Sequence, residues 1–220
     1  MLHMRPVASI IALVLANLLP LAGIFLFGWD VGIIVFLYWT ENVVVGTLAI
    51  LKIALVRVDA PVKHVGKPFV IAFFCLHYGV FCAGHGLFVR SFFDFPSSIE
   101  QLLPRFVGVE SVFLPVLAGR LLSSLASGVS GIIGWSMIAL LVSHSVSFLL
   151  NFVWHGEAQV LTIKQVMLAP YLRMAALHVA LIAGGIAISR AGSPAPLLVV
   201  LVLAKIGLDI VLHVREHRKS

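Results

Sequence analysis

Charge is scarce in this sequence, and acidic charge scarcest: 9 Asp and Glu and 15 Lys and Arg stand among 220 residues, 11% in all. A soluble domain carries about 25% charged residues, so this chain cannot cover a water-facing globular surface. Cysteine is nearly absent. Cys75 and Cys82 fall seven residues apart, about 10.5 Å along a helix axis. A disulfide needs Cα atoms within about 7 Å, so an intrachain bond is ruled out and no redox compartment is implied. No G-x-S-x-G, P-loop, H-E-x-x-H or dinucleotide fingerprint occurs, which removes the familiar hydrolase, nucleotide and zinc-protease signatures. No basic run interleaved with aromatics occurs, so the formal charge of +6 is no sign of nucleic acid. Nor does an A-x-A site follow the first apolar run, 7–27. That run is longer than the roughly 7–15 residues of a signal-peptide core, and it reads as a retained helix.

What the chain has instead is apolar length. Hydrophobic residues make up 61% of it, 15 of them Phe, and the mean hydropathy is +1.11. A membrane-spanning helix takes about 20 apolar residues, and the stretches 7–27, 31–56, 68–92, 129–153, 166–189 and 194–214 each suffice. The expectation is an all-α integral membrane bundle of six transmembrane helices, forming a single transmembrane domain over 1–220. The segment 93–128 differs. It holds Pro96, Pro104 and Pro115, with Glu100, Arg105, Glu110 and Arg120 spread through it. Leu102, Phe106, Val109, Phe113 and Val116 recur there at helical spacing, which predicts an amphipathic or re-entrant piece, not a span.

Orientation follows from the basic residues. With the N-terminus inside, Arg5, Arg57, Lys63, Lys67, Lys164, Arg215, Arg218 and Lys219 face the cytoplasm, and only Arg90, Arg105, Arg120 and Arg190 face out. This bias predicts both termini on the cytoplasmic side of a multi-pass protein in the lipid bilayer of the inner (cytoplasmic) membrane.

Several polar residues lie where lipid should forbid them. A charge at the bilayer centre costs roughly 2.5–3.5 kcal/mol on insertion scales, so such residues face the protein and have partners. They are Glu41 and Asn42; His77 and His85; His144 with Ser143, Ser145, Ser147 and Asn151; Arg173 and His178; and Lys205, Asp209 and His213. At about 1.5 Å per residue, Glu41, His77, His144, His178 and Lys205 fall in one inner-to-middle layer. Glu41 is the strongest single candidate. Lys52 lies about 16 Å further along the same helix, so a partner must come from another helix: Lys205, Arg173 or a histidine. Lys205, Asp209, His213 and His217 form an i, i+4 row, in which Asp209, His213 and His217 have spacing that suits a metal. His144, Ser147 and Asn151 make a polar stripe suited to bonds between helices, and Gly79, Ala83 and Gly86 a smooth face for close packing.

The set Trp39-Thr40-Glu41-Asn42 with Gly46 and Lys52, His77-Tyr78-Gly79-x-Phe81 with His85-Gly86, Ser143-His144 with Ser147-Phe148 and Asn151, Pro170-Tyr171-x-Arg173 with His178, and Lys205 with Asp209 and His213 resembles an uncharacterised prokaryotic family of polytopic membrane proteins. The resemblance covers nearly the whole chain and implies no activity. His213-x-x-x-His217, and the serines beside His144, bear a weaker likeness to the alkaline ceramidase and adiponectin receptor superfamily. That likeness would imply a zinc held by three histidines, but this chain departs from it in helix count.

Four functions are compatible with these residues. The first is a zinc or other divalent-metal site built from His77, His144, His178, Asp209 and His213, with Glu41 as general base of an intramembrane hydrolase. The second is a proton- or ion-coupled transporter using Glu41, Lys205 and Asp209. The third is a haem held between histidines such as His77 and His144. The fourth is a non-catalytic membrane scaffold whose polar residues set the packing.

Overall fold

The computed structural model describes residues 23, 26, 28–57, 66–104, 112–126, 131–191, 199–204 and 206–207. The described chain is helical throughout. Its elements are α1 (Val31–Leu55), α2 (Lys67–Phe92), α3 (Ser97–Glu100), α4 (Leu114–Ala126), α5 (Gly131–Ser147) continued by a π-helical segment (Phe148–Trp154), α6 (Glu157–Val160) and α7 (Ile163–Ala191). Four helices are long and apolar enough to cross a membrane: Val31–Leu55, Lys67–Phe92, Ile133–Trp154 and Ile163–Arg190. The predicted spans 7–27 and 194–214 lie largely outside the described residues. The chain divides into two compact units, Met1–Val35 with Leu172–Ser220, and Phe36–Tyr171.

Local chemistry sets the helix ends. Asp30 caps α1, its carboxylate accepting the Ile33 amide at 2.9 Å, which satisfies one orphan donor of the first turn. At the other end Lys67 is buried, and its Nζ donates to the Ala54 carbonyl at 2.8 Å and to that of Val56. These are the carbonyls that a helix C-terminus leaves without partners. The loop lysine of the sequence is therefore a helix cap. Pro68 follows it in the first turn of α2, where a missing N–H costs nothing. Thr162 and Gln165 open α7 with a reciprocal capping box: the Gln165 side chain accepts the Thr162 amide at 2.9 Å, and the Thr162 hydroxyl accepts the Gln165 amide at 3.3 Å. This box starts the helix at Ile163, three residues before the expected 166.

In the second unit α1 and α2 are held face to face. Trp39, fully buried, donates its indole N–H to the Cys82 carbonyl at 2.7 Å, and the Tyr78 hydroxyl donates to the Asn42 carbonyl at 3.2 Å. The small residues of α2 allow this approach. A Cβ on Gly86 would stand 2.9 Å from the Trp39 indole nitrogen, and one on Gly79 would collide with the Val112 carbonyl leading into α4. Cys75 and Cys82 are free and buried.

Among the described residues of 93–128 there are two helices. α3 follows Pro96 and is tied to the end of α2, where Arg90 donates to the Glu100 carbonyl at 2.9 Å and pairs with its carboxylate. α4 has 13 residues, about 20 Å, which is too short for a hydrocarbon core of about 30 Å. Its buried face is Leu114, Leu117, Leu121 and Ser124. The expected face ran through Phe113 and Val116, and Phe113 is in fact exposed. Pro115 lies in the first turn of α4, a position that favours starting the helix there. Phe106 and Val109 lie outside the described residues. α4 packs on α2 and α5.

Candidate functional site

Glu41 and His144 meet. Glu41 lies ten residues into Val31–Leu55 and His144 eleven residues into Ile133–Trp154, about 15 and 17 Å along helices of about 37 and 33 Å. Both are near the middle of their spans. His144 Nε2 stands 3.3 Å from Glu41 Oε1, with side chains 22% and 13% exposed. A histidine from another helix is thus one partner of Glu41. Lys52 turns elsewhere, its ammonium 5.2 Å from the centre of the Phe152 ring, a cation–π contact that relieves a charge near lipid.

A crevice between α1, α4 and α5, which neither Glu41 nor His144 lines, is bounded by Thr40, Val44, Leu121, Met137 and Leu141 among others. Its apolar walls include one anomaly. The Thr40 hydroxyl is buried and has no hydrogen-bond partner among the described residues, and neither has the Asn42 side-chain oxygen. The Asn42 amide nitrogen is satisfied within its own helix, donating to the Tyr38 carbonyl at 3.0 Å.

The rest of the expected convergence takes another form. His77 is exposed, and its Nδ1 stands 2.8 Å from the Tyr171 hydroxyl, in a separate aromatic cluster. His178 is exposed on α7, in the other compact unit. Asp209 and His213 lie outside the described residues, as do Lys205 and His217. Among the described residues no group of three or more His, Cys, Asp and Glu side chains could hold a metal ion. Of the polar stripe on α5, His144 reaches Glu41 on another helix, while Asn151 does not leave its own. Asn151 donates to the Ser147 hydroxyl of its own helix at 3.2 Å, so this bond joins no two helices.

This chain belongs to DUF6498, a family of unknown function. The family model matches residues 1–220, the same whole-chain extent over which the Trp39-Thr40-Glu41-Asn42 and Ser143-His144 segments carry the resemblance. No curated protein and no solved structure matches it.

Sequence reasoning missed Tyr171 as the partner of His77, and the π-helical turn directly after the His144 helix. The Tyr171 signal was present in Pro170-Tyr171, a hydroxyl at membrane depth that needs a partner when it leaves water. The π turn has no comparable sequence signal. In it His155 donates to Leu150 at 2.9 Å, an i to i−5 bond. Such wide turns occur frequently at functional sites. Here it follows His144 by one helical turn.

Chemically, a carboxyl and an imidazole in contact can share one proton. The pair is then neutral overall, as carboxylate with imidazolium or as carboxylic acid with imidazole. A second proton makes it cationic, and loss of the shared proton makes it anionic.

Proposed function

We propose that this protein is a proton-coupled membrane carrier in which Glu41 and His144 bind and release the coupling proton. The observation that carries this reading is the 3.3 Å contact between two titratable side chains on different helices, midway along both, with neither side chain fully enclosed. A working pair must be reached, and exposures of 13% and 22% leave a route. Energetics favour coupling. Either change of net charge costs roughly 2.5–3.5 kcal/mol at the bilayer centre, so the pair changes protonation when water or a charged substrate arrives to offset that cost. His144 Nε2 is the atom that passes the proton to or from Glu41 Oε1. The wide turn after α5 lets His144 move relative to Glu41 without breaking its own helix.

In this reading the spans 7–27 and 194–214 complete six, α4 is the re-entrant piece, and both termini face the cytoplasm from the inner membrane. A zinc hydrolase would need a third donor beside this pair, to be drawn from Asp209 or His213. The proton reading needs only the two groups already in contact, and we prefer it for that reason.

Two measurements test it. Infrared difference spectra between acid and neutral pH should show a protonated-carboxyl band that Glu41→Gln removes and His144→Gln displaces. Currents on a solid-supported membrane, after a pH jump with a panel of small organic acids, amino acids and cations, should appear with at least one solute and vanish in Glu41→Gln. A wild type without a titrating carboxyl band, or a Glu41→Gln protein with unchanged currents, overturns the proposal.

A further inference from the structure

The second cluster of membrane-depth polarity, at His77, has a different character from the first. His77 lies ten residues into the 26-residue α2, within about 4 Å of the helix midpoint. Its ring stacks on Phe73, centroids 4.9 Å apart at 18°, and meets Phe81 edge-on at 5.3 Å and 65°. Both phenylalanines are themselves exposed. Behind it Tyr171 is wedged against the edges of Phe74 and Tyr78, at 5.8 and 5.4 Å. The Tyr171 hydroxyl is 2.8 Å from His77 Nδ1, the one hydrogen bond either side chain makes among the described residues.

That single bond decides the tautomer. If Nδ1–H donated to the phenol oxygen, the phenol's own proton would have no acceptor. If the phenol donates to Nδ1, its proton is satisfied and the imidazole carries its hydrogen on Nε2. The second arrangement wins, because the phenol is the stronger acid of the two donors and an imidazole nitrogen is a better acceptor than a phenol oxygen. It leaves the Nε2–H without an acceptor among the described residues, in an exposed aromatic setting at mid-membrane depth. Lipid ester carbonyls lie at the edges of a core about 30 Å thick, so the nearest such acceptor is about 11 Å away. An acceptor dissolved in the membrane interior, and flat enough to lie against Phe73 and Phe81, would satisfy this donor.

We infer that His77 is the headgroup anchor of a quinone-type ligand, a planar ring carbonyl carried on an alkyl or isoprenoid tail. A ring carbonyl accepts the Nε2–H, the ring lies against Phe73 or Phe81, and the tail runs along the exposed Leu76 and Val80 of the same helix. Tyr171 is a positioning residue, which holds the imidazole in the donating tautomer.

The test titrates decylubiquinone into the full-length protein in nanodiscs of ether-linked phosphatidylcholine, which offers no ester carbonyl. Saturable binding is expected, with the quinone carbonyl infrared band shifted. His77→Phe should weaken it by about tenfold or more, the worth of one hydrogen bond in a dry site. His77→Gln, which keeps a donor near Nε2, should recover most of that loss. Tyr171→Phe keeps the ring packing and should weaken binding several-fold, so the claim stays testable if His77→Phe folds poorly. Partitioning that never saturates, or equal affinity in wild type and Tyr171→Phe with an unshifted carbonyl band, overturns the inference. A sharp loss of affinity in ester-linked lipid would identify a lipid carbonyl as the occupant and overturn it as well.

Discussion

The two spans that supply the Glu41–His144 pair are held very differently. Half of the residues in the most apolar window of Val31–Leu55 are buried within the protein, against 17% for Ile133–Trp154. α1 is gripped through Trp39, Tyr78 and the close approach of Gly46 to Tyr78 and Leu114. α5 and its π-helical continuation turn Trp135, Val142, Val146, Leu149 and Trp154 outward. One partner of the proposed proton pair is thus carried on a more buried helix and the other on a more exposed one. In the proposed carrier, motion at the site belongs to His144, with Glu41 as the stationary group.

Mutations on the two sides can break or sharpen that contrast. The largest effect is expected from Trp39→Ala. It empties a fully buried site and removes the bond to Cys82, and should cost about 3–5 kcal/mol, read as a large fall in thermal midpoint in detergent. Gly79→Ala comes next. Its Cβ meets the Val112 carbonyl and the Leu114 amide, the latter at 2.7 Å, which are backbone atoms that cannot rotate away. A loss of about 1–3 kcal/mol is expected. Trp135→Ala should be the mildest. Trp135 is 72% exposed, and removing it should shift stability by no more than about 0.5 kcal/mol in the same melting assay. If Trp135→Ala destabilises as much as Trp39→Ala, the Ile133–Trp154 span is not peripheral, and the assignment of His144 as the moving partner fails with it.

The spans themselves were legible in the sequence wherever hydropathy alone decides. The expected 31–56, 68–92 and 129–153 correspond to Val31–Leu55, Lys67–Phe92 and Gly131–Trp154 within two residues at each end, because a run of about 20 apolar residues admits few other structures in lipid. Thr162-x-x-Gln165 was a readable start signal for α7, and attention to apolar residues alone placed that start three residues late. The phase of α4 was less accessible. Phe113 and Val116 fit a helical period as well as Leu114 and Leu117 do, so the period does not separate them. At the candidate site, Glu41 was recognisable as a group that needs a partner from another helix, and His144 as one of several that could serve. His77 was recognisable as out of place, while its link to Tyr171, 94 residues on, was not.

By itself, the sequence determined that the chain forms long helices apolar enough to cross a membrane, because out of water such long apolar runs leave the backbone no other way to satisfy its hydrogen bonds. It also determined which side chains would be costly at that depth. Tertiary structure alone decided how those side chains are shared out: Glu41 with His144, His77 with Tyr171, Lys67 with the end of α1. Periodicity places a residue on a face of its own helix. Which other face it meets depends on how the helices cross and rotate, and that is set by the sum of many contacts, such as those of Gly79, Gly86 and Trp39, that no single stretch of sequence contains.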